Sequence, residues 1–178
     1  IDTAQVTAID PTLIKSLTST NQAFTTDPNV AIGEIVTYTV TITVPEGTTP
    51  TASLRDVLDP GLAFVDCQSV IASPTLSTDQ PGGFAAACTS PTVQAEPPGD
   101  PVAVNQGRRV TLALGNISNT DPDISTAETL TFVYRAIVLN ASGNDRGVGR
   151  SNAATFLWAG GSASASASNV IIVEPTLQ

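Results

Sequence analysis

The clearest signal along the chain is an alternation. Residues Glu34 to Val44 read EIVTYTVTITV. Successive side chains of an extended segment point to opposite faces. Val36, Tyr38, Val40, Ile42 and Val44 therefore share one face, and Ile35, Thr37, Thr39, Thr41 and Thr43 share the other. This predicts a half-buried strand with a Thr-rich solvent side, ended by the turn residues Pro45-Glu46-Gly47. Similar runs predict strands over 12–18, 52–58, 62–65, 109–114, 129–138, 151–158 and 164–173. Between them stand Asp27-Pro28, Asp59-Pro60-Gly61, Pro81-Gly82-Gly83, Pro97-Pro98-Gly99 and Asp121-Pro122-Asp123. No segment has the period of an amphipathic helix. Many short strands with regular turn signals predict an all-β fold, an antiparallel β-sandwich. The stretch 73–100 is the least regular and reads as a long decorated connection. The Ser-Ala alternation from Ser162 to Ser168 fits either a closely packed strand or a linker. The apolar run that follows favours a strand.

Composition narrows the function. The chain has 178 residues, a net charge of −9 and no histidine. That length allows one domain with a sizeable core. The missing histidine removes His-based triads and most catalytic zinc sites. Lys15 is the only lysine, and Ser and Thr make up about a fifth of the chain. An acidic, lysine-poor surface does not track phosphates, so nucleic acid is not an expected partner. No run is long and apolar enough for a membrane helix, so no membrane insertion by this segment is expected. No signal-peptide pattern stands at the start, which suggests a mature or excised fragment.

Cys67 and Cys88 are either buried thiols or an intrachain disulfide. The absence of a CxxC or histidine partner favours the disulfide, which would close a loop of about 20 residues. With the low lysine content, it suggests an extracellular, cell-surface protein. Asn116-Ile117-Ser118 and Asn140-Ala141-Ser142 have the form of glycosylation sequons. The segments Val6–Leu13 and Val170–Leu177 align without a gap, each ending in an acid followed by Pro-Thr-Leu. Two edge strands of similar composition would look alike. An array with a period of about 164 residues would also produce the match. On the array reading, 1–178 is one repeat module, with 1–9 and 170–178 joining neighbouring copies.

Gly33-Glu34-Ile35-Val36-Thr37-Tyr38-Thr39-Val40-Thr41 resembles the G-[DE]-x-[VL]-T-Y-T signature of bacterial surface repeat domains, the isopeptide-forming fimbrial and collagen-adhesin-type Ig-like modules. Asp10-Pro11-Thr12-Leu13-Ile14-Lys15-Ser16 is similar to their opening strand. Leu54 to Leu62 is similar to their D-x-L-P-x-G-L segment, with Asp59-Pro60-Gly61 replacing Pro-x-Gly, and Ser151-Asn152-Ala153-Ala154 to their closing strand. The matches occur in family order along the whole chain. The resemblance implies an Ig-like (collagen-adhesin-like) sandwich in a secreted stalk. It also implies an isopeptide bond between Lys15 and Asn152, assisted by Asp56 as proton shuttle. Glu34 is the rival acid, although its place beside Gly33 at a strand start predicts exposure. Phe132, Tyr134, Phe156 and Trp158 are the expected pocket walls.

The chemistry explains these residue types. A lysine must be neutral to attack, and apolar burial favours the neutral amine. A carboxyl held protonated by the same burial can polarise the amide and relay protons until ammonia leaves. The ordinary alternatives are an exposed edge lysine, a turn aspartate and a backbone-bonded asparagine. Asp121 and Asp123, with Glu128 near, offer a weak calcium site or a solvated acidic turn. No other cofactor is expected. The functional expectation is a non-enzymatic stalk, fimbria or filament module whose partners are neighbouring copies of itself. The alternatives are an adhesive domain for a host or surface ligand, with 73–100 presenting the ligand surface, and a self-assembling filament subunit that adds a strand to its neighbour.

Overall fold

The computed structural model describes residues 9–99, 107–123 and 125–173. Strands β1 (Thr12–Thr20), β3 (Ile35–Thr43), β9 (Thr129–Val138) and β5 (Leu62–Ala72) form one sheet, in the order β1-β3-β9-β5. The other large sheet runs β12 (Gly161–Ser166), β11 (Asn152–Trp158), β4 (Gly47–Leu58), β8 (Arg109–Asn119) and β6 (Leu76–Thr78), with β7 (Thr92–Gln94) also paired to β8. Every pairing within these two sheets is antiparallel. A small third sheet joins β10 (Gly149–Arg150), β13 (Val170–Ile172) and β2 (Asn29–Val30) at one end.

The expected alternation along β3 is present, with each inward residue buried and each outward Thr partly exposed. Its neighbour β9 repeats the pattern through Leu130, Phe132, Tyr134, Ala136 and Val138. Leu54, Leu58, Leu112, Leu114, Ala154 and Phe156 face them from the second sheet. Each large apolar side chain fully buried here contributes roughly 1.5–3 kcal/mol. Edge strand β1 closes one side against β11 and β12.

Two expectations need correction, and a third is narrowed. Residues Gly83–Thr89 form a helix, α1. Seven residues are too few to display a helical period, and the Gly82-Gly83 turn that starts the helix reads as simple punctuation. Second, 164–173 is not one strand. Gly161–Ser166 forms a hairpin with β11, and the chain then crosses to the small sheet. Third, of the linker or strand reading for 170–178, the described part is a strand, with Val170 and Ile172 of β13 fully buried in the core. Residues 1–8 and 174–178, which complete the aligned segments, lie outside the described residues.

The irregular 73–99 region carries β6, α1 and β7 and is pinned by the Cys67–Cys88 disulfide. The bond links β5 of one sheet to α1, which packs beside β8 of the other.

Candidate cross-linking site

Strand β1 alternates Leu13, Lys15 and Leu17 inward with Ile14 and Ser16 outward. The lysine therefore occupies a core position, and its side chain has no solvent exposure. Asp56 takes the equivalent inward position on β4, between Leu54 and Leu58. Asn152 begins β11, pairs with Leu58 and lies diagonally across from Asp56, which pairs with Ala154. Diagonal cross-strand side chains on one face are within reach of each other.

The start of β11 is set by the turn after β4. The Ser151 N–H donates to the Asp59 carboxylate at 2.7 Å, which anchors the residue preceding Asn152. Gly61 completes that turn with φ 97°, and an added Cβ there would collide with the buried Asn144 amide.

Three polar side chains thus meet inside the sandwich. The Lys15 amine donates to Asp56 Oδ2, and the Tyr134 hydroxyl donates to the same oxygen. The amine lies 5.0 Å from the centroid of the Tyr38 ring and 5.4 Å from that of Tyr134. Asn152 is 1% exposed, yet neither its Oδ1 nor its Nδ2 completes a hydrogen bond, and Asp56 Oδ1 and the Tyr38 hydroxyl are in the same condition. Such orphaned groups are costly in a core, and four of them converge here.

Burial dominates the electrostatics. It lowers the Lys15 pKa to about 8, with Asp56 partly offsetting the fall. It raises the Asp56 pKa, against the opposing influence of Lys15 and Tyr134. Both shifts favour the neutral amine and the neutral carboxyl. Burial also pushes both tyrosine pKa values up, so their hydroxyls remain donors.

The expected walls divide. Phe132 lies two strands from Lys15 in the same layer, through Val40, and Phe156 pairs with Leu54 one step from Asp56. Tyr134 bonds to the aspartate directly. Trp158 lies at the far end of β11, where it stacks on Phe156 at 5.5 Å and lines an outer groove with Ile9, Pro11, Pro45 and Pro50. Six residues of extended chain separate it from Asn152, too far for a pocket wall.

Tyr38 is the site residue missing from the sequence reading. Its signal was present: a tyrosine on the apolar face of β3, which requires a partner for its hydroxyl.

Glu34 is buried at 1% exposure, not exposed as expected. The turn at Gly33 folds its carboxylate inward, where it accepts from the Thr25 hydroxyl at 2.7 Å and the Ala31 N–H at 2.7 Å. It thereby holds its own loop. Asp121 accepts from the Asp123 N–H, and Asp123 from the Ser125 N–H and hydroxyl. These are turn bonds, and no cluster of three metal-ligating side chains occurs among the described residues. No described helix is long and apolar enough to cross a membrane.

No protein-family model matches the chain, and no curated protein matches it in sequence. Solved structures match its fold. The full-length major pilin SpaD of Corynebacterium diphtheriae superposes with a TM-score of 0.51 at 13% identity, over 90% of this chain and 34% of that one. BcpA, the major pilin subunit of Bacillus cereus, gives 0.52 at 13% identity, over 94% and 41%. The N-terminal domain of the Streptococcus gordonii adhesin Sgo0707 gives 0.52 at 13% identity, over 92% and 32%. The chain thus has the β-sandwich fold found in bacterial major pilins, and it spans about a third to two-fifths of the length of these proteins.

Proposed function

We propose that this chain is a structural module of an extracellular surface stalk or pilus-like filament, locked by an amide bond that it forms once between Lys15 and Asn152. The observation that carries this reading is the burial of the only lysine of the chain against Asp56, beside an asparagine amide whose polar atoms are unpartnered. The likeness to two major pilin subunits supports the structural role.

The reaction follows from the site. The Lys15 proton passes to Asp56, leaving a neutral amine. The amine attacks Asn152 Cγ, and the amide oxygen takes up negative charge. As the tetrahedral carbon collapses, Nδ2 receives one proton, passed from Nζ through Asp56, and leaves as ammonia. The new Nζ–Cγ bond replaces the Cγ–Nδ2 bond, and Asp56 is left holding the proton it first took from the lysine. The fixed positions of amine and amide in the core supply much of the rate. The chain is both catalyst and substrate, so it reacts once and is not an enzyme.

The bond would join β1, at the edge of one sheet, to β11 in the other. Force applied at the termini would pass through the cross-link and leave the intervening strands unloaded. It would also close a loop of well over a hundred residues in the unfolded chain, worth on the order of 5 kcal/mol in the chain-entropy model. Peptide mapping tests the reading. The expected product is a branched peptide joining Lys15 to Asn152, absent from Asp56→Ala. Separate, unmodified peptides in the parent protein would refute it.

A further inference from the structure

The two tyrosines of the site have no part in the reaction as written above, yet both point hydroxyls into it. They face each other across β3 and β9, with Tyr38 paired to Tyr134 and ring centroids 6.0 Å apart. Both rings flank the Lys15 amine, and the Tyr134 hydroxyl bonds to Asp56, which lies diagonally across from Asn152. Their hydrogen bonding differs. Tyr134 donates to Asp56 Oδ2, whereas the Tyr38 hydroxyl is buried with no partner.

Each arrangement has a consequence. Asp56 Oδ2 already receives donors from Lys15 and Tyr134, while Oδ1 receives none. A proton taken up by the carboxyl is therefore placed on Oδ1, where no other donor competes. Tyr38 is the converse case. A buried donor without an acceptor is destabilising in the resting fold. It becomes favourable once a nearby oxygen gains negative charge, because a prepositioned donor needs no reorganisation at that moment. Asn152 Oδ1, likewise buried and unpartnered, is the oxygen of the site that gains charge in the reaction.

We propose that Tyr38 donates its hydroxyl hydrogen bond to the oxyanion that develops on Asn152 Oδ1, and that Tyr134 is a positioning residue that fixes which Asp56 oxygen carries the relayed proton. This rests on the Lys15–Asn152 reaction proposed above. No atom is transferred to or from either tyrosine, so the balance of that reaction is unchanged.

The test follows mass against time in the full chain and in Tyr38→Phe and Tyr134→Phe, each purified promptly in the cold and then warmed. Melting curves confirm that each variant is folded. The parent is expected to be one ammonia lighter at harvest. Tyr38→Phe is expected to be largely at full mass at harvest and to lose ammonia about 10²–10³-fold more slowly, the usual effect of removing one oxyanion donor. Tyr134→Phe is also expected to be slow, with a further signature. Its carboxyl loses a bond that favours ionisation, so the alkaline limb of its rate–pH profile lies at higher pH than that of Tyr38→Phe.

A parent at full mass would refute the reaction itself. A light parent accompanied by an equally light Tyr38→Phe at harvest would overturn the Tyr38 role alone. Matching pH profiles for the two variants would overturn the Tyr134 role. Should Tyr38→Phe fail to fold, the Tyr134→Phe profile is compared with that of Phe132→Leu, a packing change that leaves both hydroxyls in place, and coincident limbs would count against the proposal.

Discussion

Lys15 and Asp56 meet across the sandwich. The lysine belongs to β1 of one sheet and the aspartate to β4 of the other, and their side chains are 0% and 1% exposed. A buried ion pair seldom repays its desolvation relative to apolar residues of the same size. Its retention in a chain with one lysine calls for a chemical reason, and the adjacent Asn152 amide supplies one.

Removing the aspartate separates the chemical role from the structural one. Asp56→Ala is expected to fold but to stay at full mass. In the unlinked Asn152→Ala background, adding Asp56→Ala should also cost about 3–5 kcal/mol of stability, because Lys15 is left buried without its partner. Denaturant unfolding measures the second effect and mass spectrometry the first.

Glu34 provides the control. Its carboxylate accepts from Thr25 and Ala31 and has no bond to Lys15 among the described contacts. Glu34→Ala should cost about 1–3 kcal/mol by leaving those donors without an acceptor. Cross-link formation should be unaffected. A full-mass Glu34→Ala alongside a light Asp56→Ala would assign the proton relay to Glu34.

The strand pattern was legible because its cause is local. Period-two alternation in β3 and β9 directly encodes one buried and one solvated face. Lys15 could be placed by the same rule, since it shares the inward face with Leu13 and Leu17. Other features depend on contacts that alternation does not encode. Glu34 is buried because the turn at Gly33 redirects it, and a carboxylate at a strand start looks the same whether it faces water or two hydrogen-bond donors. The α1 helix is stabilised by its packing and by the disulfide at Cys88, not by a periodic face of its own. Trp158 shares β11 with Asn152, but distance along the strand places it at the opposite end. Tyr38 was visible on the buried face of β3, but only its register with Tyr134 brings its hydroxyl to the site.

An unlinked variant should reveal the lysine's environment through pH. In Asn152→Ala the amine stays free, with its pKa lowered to about 8 from 10.5. Between those values the unfolded chain binds more protons than the folded one, so stability rises with pH across the window. The gain is up to about 3 kcal/mol. Asp56 acts in the opposite sense. Its raised pKa stabilises the fold below the ordinary carboxyl range, and that contribution declines as pH rises through the folded value. Urea melts between pH 7 and 10.5 give the alkaline part, and a flat or falling profile there would show that the amine is solvated.

The disulfide has a separate role. Reduction of Cys67–Cys88 should cost on the order of 3 kcal/mol, given the loop it closes. Loss of hydrogen-exchange protection should concentrate in 73–99, while β1, β4 and β11 remain protected. Cross-linking should proceed in reductant, because no site residue belongs to that region.

The intact mass of the reduced, denatured chain tests the central claim most directly. The cross-linked module should weigh one ammonia less than its sequence requires, and an amine-reactive label should leave Lys15 unmodified even after denaturation. A chain at full sequence mass, with Lys15 fully labelled once unfolded, would contradict the account.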